Sequence, residues 1–462
     1  PLHKFHFAGL KYTQFQIINM SKPMMPITTL KWEELANEWL ESISSTHAAP
    51  YLANPKKYKC LKWNIMNNPH SDGLDLFGDE TKLQEAICYA TGRLFAISFY
   101  NVDDEQATSF VYFCSTSQGV KGQVHGGFVA TVMDTMIGVI NDIQNVLAFT
   151  ANLTVNYKFS CPFLETLIVT SKIDKIEYRD SNKSRKIYLS GEMRTLNDDQ
   201  RVIATGNTLW IAPPNMKIPP VPTDFNERRE ENLHLYHSLD NDSYYVSLPF
   251  ASERREEWFN STEIQTQLAV HNLLNNPNVI MSRHGISNGY VGDPMKEQEE
   301  DLSVFGGIDG KMFHLLYYNK KTMIATCFVK FLSGCEGPPG CAHGGSITTA
   351  LDETMFIYET SKREEYDQSN DIKATASISV NFRHTVPLNT TLLIKTNVDN
   401  IIRSSNGLRS KCFQSFQLTS LDGSTVYNDG EGLVISNRDI ALKMADDFQE
   451  KKKNEGRNSS SL

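Results

Sequence analysis

A ten-residue segment that begins with His-Gly-Gly and ends with Asp occurs twice, and it is the strongest constraint on the fold of this chain. The copies span His125–Asp134 and His343–Asp352, so the Asp follows the His by nine residues in both. Small and apolar residues lie between, which predicts a helix that begins at the glycine pair. The first N–H groups of such a helix have no intrahelical partner and favour an oxygen with negative charge. A glycine turn for close packing explains one copy equally well, but two copies with the same His and Asp favour a functional site.

The duplication extends well beyond this segment. Residues 150–158 match residues 375–383 at an offset of 225, whereas the His-Gly-Gly segments lie 218 apart, so the second copy has seven additional residues in between. Pro162 and Pro387 also share the offset of 225. Solenoid repeats have periods of roughly 20 to 50 residues, so a period this long indicates a duplicated domain.

The hydrophobic pattern predicts the same order of elements in both halves: two strands, the glycine-led helix, and a run of strands. Strands are expected at 94–100, 107–116, 150–159, 167–178, 184–196 and 201–211, and again at 310–318, 322–332, 375–383, 392–402, 408–420 and 424–435. Further helices are expected at Trp32–Ile43, Thr81–Ala90 and Glu256–Leu274. The expected division is a helical N-terminal extension (1–91), a first domain (92–212), a Pro-rich charged linker (213–250), a helical lead-in (251–302), a second domain (303–437) and a charged tail (438–462).

Composition excludes several classes of function. The net charge of −9 provides no basic field for nucleic acid, and the longest apolar runs are too short for a membrane span, so a soluble protein is expected. Eight cysteines without a CxxC pair are typical of reduced thiols in an intracellular compartment. Cys335, Cys341 and His343 are close in sequence, but no second pair of ligands follows, so no metal site is expected. The first 32 residues contain neither Asp nor Glu, which fits an organelle-targeting segment or a flexible leader.

Strand, strand, glycine-led helix and a run of antiparallel strands is the element order of the hot-dog fold, an α+β fold in which an antiparallel β-sheet wraps around a central α-helix. The segments Gly337–Gly345 and Thr375–Pro387 closely resemble the hot-dog acyl-CoA thioesterases. The branch that they resemble most is the mitochondrial thioesterase superfamily members of animals. The resemblance covers roughly 92–212 and 303–436, about half of the chain, so a tandem (double) hot-dog is expected.

This resemblance implies hydrolysis of fatty acyl-CoA to free fatty acid and CoA, without metal or organic cofactor, and it fits a mitochondrial location. The family's catalytic Asp falls on Asp134 and Asp352, and its supporting Thr on Thr150 and Thr375. Its oxyanion-binding His-Gly falls on the pairs that begin at His125 and His343, followed by Gly127 and Gly345. Some relatives carry an Asn six residues before the His, where this chain has Gly119 and Gly337.

One helix cannot supply both the N–H donors and the Asp to one carbonyl group. At a rise of 1.5 Å per residue, eight or nine residues separate two groups by roughly 12–13 Å. Two antiparallel helices can do so, which predicts two composite sites: His125, Gly126 and Gly127 with Asp352 and Thr375, and His343, Gly344 and Gly345 with Asp134 and Thr150. The Asp is expected to act as general base or as nucleophile. The Thr orients it or a water, unless it is an ordinary strand residue, and the His either takes part in acid–base chemistry or holds the loop.

A CoA substrate also carries phosphates, so cationic and amide side chains at repeated positions are candidates for binding it. These are Asn156, Lys158, Asn381 and Arg383, together with Arg179, Arg185, Lys186, Arg403, Arg409 and Lys411 near turns, although a solvated turn explains such charges as well.

A second function class stays open, namely a non-catalytic tandem hot-dog subunit or acyl-CoA-binding module of a larger assembly. The extension, the linker and the tail fit partners, either a homodimer or a larger complex. Both copies keep the His, the two glycines, the Asp and the Thr, which favours chemistry over a structural role. A serine hydrolase is set aside because the chain has no GxSxG segment.

Overall fold

The computed structural model describes residues 32–60, 88–90, 94–113, 117, 123–143, 148–162, 164–179, 184–196, 200–212, 257–271, 273, 279–282, 312–332, 335, 337, 340–356, 372–405 and 409–437. The predicted leader, linker and tail lie outside these residues, as does most of the predicted lead-in. None of the described helices combines the length and the apolarity that a membrane crossing requires.

The described helices mostly follow the hydrophobic pattern. They are α1 (Trp32–Ser45), α2 (Ala49–Leu52), α3 (Gly126–Ile143), α4 (Thr262–Val270) and α5 (Gly344–Met355). The predictions of α1, α3 and α5 are confirmed, and α4 occupies the middle of the helix predicted at Glu256–Leu274. The hydroxyl of Ser261 caps α4 by accepting a hydrogen bond from the Ile264 amide, and this cap sets the start of the helix later than the apolar pattern predicts.

The first half contains eight described strands, and the second contains seven. The first set is β1 (Tyr58–Cys60), β2 (Cys88–Ala90), β3 (Leu94–Asn101), β4 (Gln106–Phe113), β5 (Phe149–Tyr157), β6 (Thr166–Arg179), β7 (Ser184–Thr195) and β8 (Val202–Ala212). The second set is β9 (Val279–Ser282), β10 (Met312–Asn319), β11 (Ile324–Phe331), β12 (Ile372–Phe382), β13 (Thr391–Arg403), β14 (Arg409–Ser420) and β15 (Val426–Asn437). The twelve predicted strands are confirmed, with ends that differ by a few residues.

The helix predicted at Thr81–Ala90 is wrong over its last three residues. These residues form β2, which pairs antiparallel with the start of β3. The ladder that β3 offers at this position satisfies the backbone there, so tertiary pairing overrides the local helical pattern. Residues 81–87 lie outside the described part of the chain.

The strands form one antiparallel sheet in which each half repeats the same order. The described path runs β1-β3-β4-β6-β7-β8-β5 and continues as β12-β15-β14-β13-β11-β10-β9. The two halves join where β5 pairs with β12, with Thr154 opposite Ser379. The sheet packs against α3 in the first half and against α5 in the second through one continuous buried cluster. An antiparallel sheet around a helix is the arrangement of the hot-dog fold, so the predicted hot-dog fold is confirmed, whereas its tandem form stays a prediction.

Strands β3 and β10 are buried on both faces because helices cover the outer side of the sheet as well. Leu94 and Ala96 of β3 belong to the cluster around α3, whereas Phe95, Ile97 and Phe99 pack against α1. Strand β10 alternates in the same way between the cluster around α5 and a second outer cluster that includes α4. Strands buried on both faces read as continuous apolar runs, which is how both appear in the sequence.

The two outer helical segments make equivalent contacts. The indole N–H of Trp39 in α1 donates to the Thr166 hydroxyl at 2.9 Å, and that of Trp258, just before α4, donates to the Thr391 hydroxyl at 3.0 Å. Thr166 and Thr391 are separated by the same 225 residues as the repeated strands. The internal similarity therefore includes a helical segment in front of each predicted domain.

Candidate active sites

Helices α3 and α5 lie against each other in opposite directions at very close range. A Cβ atom built on Gly127 would lie 2.6 Å from Thr349 Cα, and one built on Gly345 would lie 2.6 Å from Thr131 Cα. The Thr131 and Thr349 hydroxyl oxygens are 3.4 Å apart where the helices cross. Only glycine permits this approach. As a result, the first turn of each helix lies beside the later turns of the other.

The first turn of α3 faces the carboxylate of Asp352 from α5. A Cβ atom on Gly126 would lie 3.2 Å from Asp352 Oδ2. The other carboxylate oxygen, Oδ1, accepts a hydrogen bond from the Thr375 hydroxyl at 2.6 Å. Among the described residues Oδ2 has no hydrogen-bond partner, and Asp352 is fully buried. We call this group, with His125 and Gly127, the His125 site.

The first turn of α5 faces Asp134 of α3 in the same manner. A Cβ atom on Gly344 would lie 3.0 Å from Asp134 Oδ2, and the Thr150 hydroxyl donates to Asp134 Oδ1 at 3.0 Å. We call this group, with His343 and Gly345, the His343 site. In both sites the structure brings together the residues that the sequence analysis combined by assuming two antiparallel helices. In each site the threonine hydroxyl donates to one carboxylate oxygen of the Asp, and the second carboxylate oxygen faces the partner helix.

Each histidine holds the turn in front of its helix. Nδ1 of His125 accepts from the Gly127 amide at 3.1 Å, and Nδ1 of His343 accepts from the Gly345 amide at 2.9 Å. The second glycine amide of each pair is therefore already used, contrary to the expectation that both amides are free donors. The amides of Gly126 and Gly344 have no acceptor within the described part of the chain, so they are the donors left for a ligand.

Burial shifts the ionisation of these groups. It raises the pKa of Asp352 to about 6, although the Thr375 hydroxyl and the Gly127 amide act in the opposite direction. It also raises the pKa of Asp134, against the effects of His343 and Thr150. It lowers the pKa of His125 to about 4, so this imidazole is neutral at neutral pH. Both carboxylates can thus take up a proton more readily than an exposed Asp.

Asp352→Asn is expected to stabilise the protein at neutral pH. A carboxyl group whose pKa rises from 3.8 to about 6 on folding destabilises the folded state by about 3 kcal/mol once it is ionised in both states. This destabilisation is small near pH 4, develops between about pH 4 and pH 6, and is fully present above the folded-state pKa. Asn removes the charge and keeps an oxygen that can accept from Thr375. Urea unfolding at pH 4 and pH 7.5 tests this, and an equal change at both pH values would contradict it.

Two residues of the His125 site were not predicted from the sequence. The Tyr157 hydroxyl donates to the Gly126 carbonyl oxygen at 2.7 Å, and Glu353 Oε1 lies 3.4 Å from His125 Nε2. The repeat aligns Tyr157 with Phe382 at an offset of 225 and Glu353 with Thr135 at an offset of 218. The signal in the sequence that could have identified Tyr157 and Glu353 is that the two copies differ at these positions, next to residues that they share.

The structure also explains one departure from the family pattern. A Cβ atom on Gly337, six residues before His343, would lie 2.9 Å from His343 Cα. The Asn that some relatives carry at this position does not fit this backbone. Gly119 lies outside the described residues.

The candidate phosphate-binding residues fall into two groups. Asn381 and Arg383 both donate to the carboxylate of Asp429, Asn381 at 2.8 Å and Arg383 through Nε, so the Asn381 amide and one nitrogen of the Arg383 guanidinium are engaged within the sheet. Asn156 pairs across the sheet junction with Ser377, and Lys158 follows β5. Because of these contacts, Asn381 and Arg383 are weaker candidates for binding the CoA phosphates than their positions in the repeat alone would indicate.

The basic hairpin ends form the second group. They are the β6–β7 turn with Arg179, Arg185 and Lys186, and the β13–β14 turn with Arg403, Arg409 and Lys411. Strand register places Lys186 in one row with Ile211 and Phe149, next to Thr150, and Lys411 in one row with Ile435 and Ala374, next to Thr375. Two strand spacings, roughly 10 Å, separate each lysine from the strand that carries the site threonine. Within the described ranges, no cluster of His, Cys, Asp or Glu has the arrangement of a metal site.

Comparison with known proteins gives matches to part of the chain. No protein-family model matches it. The mouse acyl-coenzyme A thioesterase THEM4 is 33% identical over 113 residues, which are 24% of this chain and 46% of that protein. The human acyl-coenzyme A thioesterase THEM5 is 26% identical over 129 residues, 28% of this chain and 47% of that protein. The chain thus spans about half the length of these relatives.

Solved structures with a similar backbone include two thioesterases at low similarity. The 12:0-ACP thioesterase from Umbellularia californica has a TM-score of 0.35 and 8% identity, over 71% of this chain and 94% of that one. An acyl-CoA thioesterase II from Mycobacterium marinum, TesB2, has a TM-score of 0.34 and 8% identity, over 68% and 88%. The sequence matches confirm that the chain resembles the acyl-CoA thioesterases of the hot-dog family.

Proposed function

We propose that this protein is a tandem hot-dog acyl-CoA thioesterase that hydrolyses fatty acyl-CoA at two composite sites between its halves. One observation carries the proposal: in each half, a buried Asp tethered by a threonine faces the first glycine of an antiparallel partner helix. The similarity to proteins named acyl-coenzyme A thioesterases supports the same reaction.

The proposed reaction uses the helix end to bind the thioester oxygen. In the His125 site the Gly126 amide and the positive end of the α3 dipole hold this oxygen and stabilise the negative charge that develops on it. Loss of one such donor typically costs about 3 kcal/mol of transition-state stabilisation. The Gly344 amide has the same role in the His343 site. Each histidine keeps the glycine turn in shape, since its Nδ1 holds the second amide.

The free carboxylate oxygen activates the attacking water. Asp352 Oδ2 accepts a proton from water, the water oxygen bonds to the carbonyl carbon, and the carbon–sulfur bond then breaks. The CoA sulfur leaves with the proton that Asp352 took up, and the acid product carries the oxygen from water. Direct attack by Asp352 to give an acyl anhydride is the second route, and labelled water separates the two because only that route can leave the label on the enzyme carboxylate.

The basic hairpin ends are the proposed contacts for the CoA phosphates. Each lies on the same end of the sheet as a site threonine, and CoA is long enough to reach from a thioester to a phosphate-binding turn. No metal or organic cofactor is needed for this chemistry. A mitochondrial location and association with a second copy or a larger complex stay predictions.

A CoA-release assay across acyl chains from acetyl to stearoyl tests the function. Hydrolysis that depends on acyl length is expected, because the acyl chain must be accommodated against the buried apolar cluster around each helix. A thioether analogue of acyl-CoA, which cannot be hydrolysed, measures binding in parallel. If the protein binds the analogue but releases no CoA from any substrate, the non-catalytic acyl-CoA-binding role replaces the enzyme. If it neither binds nor hydrolyses, both are wrong.

A further inference from the structure

A chain of polar contacts crosses the His125 site from one side to the other. The Tyr157 hydroxyl donates to the Gly126 carbonyl oxygen at 2.7 Å, and the amide of the same peptide unit, that of Gly127, donates to His125 Nδ1 at 3.1 Å. The opposite ring nitrogen, Nε2, lies 3.4 Å from Glu353 Oε1. A neutral imidazole that accepts at Nδ1 carries its hydrogen on Nε2, directed at the carboxyl group of Glu353. The chain therefore runs from Tyr157 through the peptide and the imidazole to Glu353.

The His343 site keeps the middle of this chain and lacks both ends. The Gly345 amide donates to His343 Nδ1 at 2.9 Å. Phe382 occupies the place of Tyr157, with its ring carbons 3.4 Å from a Cβ atom built on Gly344. Thr135 occupies the place of Glu353, and its hydroxyl donates to the Thr131 carbonyl oxygen at 2.9 Å. Phe382 and Thr135 thus each remove one end of the contact chain from the His343 site.

The contacts of Tyr157 and Glu353, at the two ends of this chain, help to fix the conformation of the first turn of α3. Hydrogen bonds in series polarise one another, so donation by Tyr157 to the Gly126 carbonyl strengthens the Gly127 amide as a donor to the imidazole. The carboxyl group of Glu353 fixes the imidazole tautomer that accepts this bond. A donor group that is already oriented needs no reorganisation when charge develops on the substrate oxygen. The His125 site is thus better organised around its Gly126 amide.

We propose that the two sites are unequal, and that Tyr157 and Glu353 are positioning residues that make the His125 site the faster one. This inference rests on the proposed thioesterase function. Neither residue touches the reacting carbonyl group in this scheme, since both act through the Gly126–Gly127 peptide and the imidazole. Their removal is therefore expected to lower kcat and to leave KM nearly unchanged.

Single-site variants of the full chain test this. Asp134→Asn leaves only the His125 site with its base, and Asp352→Asn leaves only the His343 site. The Asp134→Asn protein is expected to have a kcat about 10-fold higher than the Asp352→Asn protein. Adding Tyr157→Phe, which copies the residue of the other site, should lower kcat about 5- to 10-fold in the Asp134→Asn protein. It should have little effect in the Asp352→Asn protein, because the site that Tyr157 supports already lacks its base there.

Matched variants separate positioning from a general loss of structure. Tyr51→Phe removes a tyrosine hydroxyl in the outer cluster, where the Tyr51 ring packs against Phe99 and Phe110, and it should leave kcat at the parental value. At Glu353, Gln keeps an oxygen acceptor for His125 Nε2 whereas Thr copies the other site, so Glu353→Gln should retain more activity than Glu353→Thr. Equal kcat values for the two single-site proteins, or equal losses from Tyr157→Phe in both, would overturn the inference and leave the thioesterase function intact. A parent protein that releases no CoA would instead overturn the function itself.

Discussion

Acyl-CoA hydrolysis is expected to fall by about 10²- to 10⁴-fold when Asp134→Asn and Asp352→Asn are combined, the range that a positioned general base contributes. Asn keeps the size of the side chain and an oxygen for Thr150 or Thr375, but it cannot accept a proton from water. Both carboxylates must be replaced because each site carries its own. Release of CoA thiol under saturating substrate measures the loss in kcat.

Unfolding of the double variant would not account for the loss of kcat, because removal of the buried charge at Asp352 is expected to stabilise the protein at neutral pH. Thermal unfolding of the double variant should therefore show a midpoint at or above that of the parent. Binding of the thioether analogue should persist, since neither substitution changes the basic hairpin ends proposed to hold the CoA phosphates. A double variant that hydrolyses at the parental rate would show that the two carboxylates are not the bases.

The proximity of Asp352 to Gly126 could be predicted from sequence, because it follows from the His-to-Asp spacing and the rise per residue of an α-helix. The spacing of nine residues from His to Asp recurs in both copies, and the rise of an α-helix places those groups too far apart to share one carbonyl. An antiparallel partner is the arrangement that satisfies both facts. The glycine pairs then predict a close crossing, since no Cβ atom separates the backbones.

The contacts of Tyr157 and Glu353 could not be anticipated in this way. Tyr157 reaches the Gly126 carbonyl only because β5 passes under the first turn of α3. The distance between this strand and the helix depends on the packing of the whole core. Glu353 follows Asp352 directly, so on an ideal helix it points about 100° away from it. It meets His125 because the antiparallel packing places the start of α3 beside the later turns of α5. The hydrogen bond from the Gly127 amide to His125 Nδ1 likewise depends on a ring orientation that the sequence does not specify.

Gly127→Ala and Gly345→Ala are each expected to destabilise the protein by about 1–3 kcal/mol or more, the usual range for an overpacked contact. A methyl group on Gly127 would lie 2.6 Å from Thr349 Cα, and the neighbour is backbone that cannot rotate away. Alanine in a helix gains about 1 kcal/mol over glycine, which offsets only part of this clash. Since both substitutions strain the same crossing, the double variant should show a non-additive loss. Chemical unfolding measures it.

Gly126→Ala provides the contrast, because its methyl group would meet the Asp352 carboxylate at 3.2 Å and not a backbone atom. A carboxylate can move by a few tenths of an ångström, so this variant should fold with nearly parental stability while the new methyl group crowds the free oxygen. In the Asp134→Asn protein, which depends on the His125 site, Gly126→Ala should therefore lower kcat much more than it lowers stability. Gly127→Ala should lower both, because it forces apart the helices that bring Asp352 to Gly126. If Gly127→Ala were as stable as the parent, the close crossing of α3 and α5 would be wrong, and with it the geometry that gives each site its carboxylate.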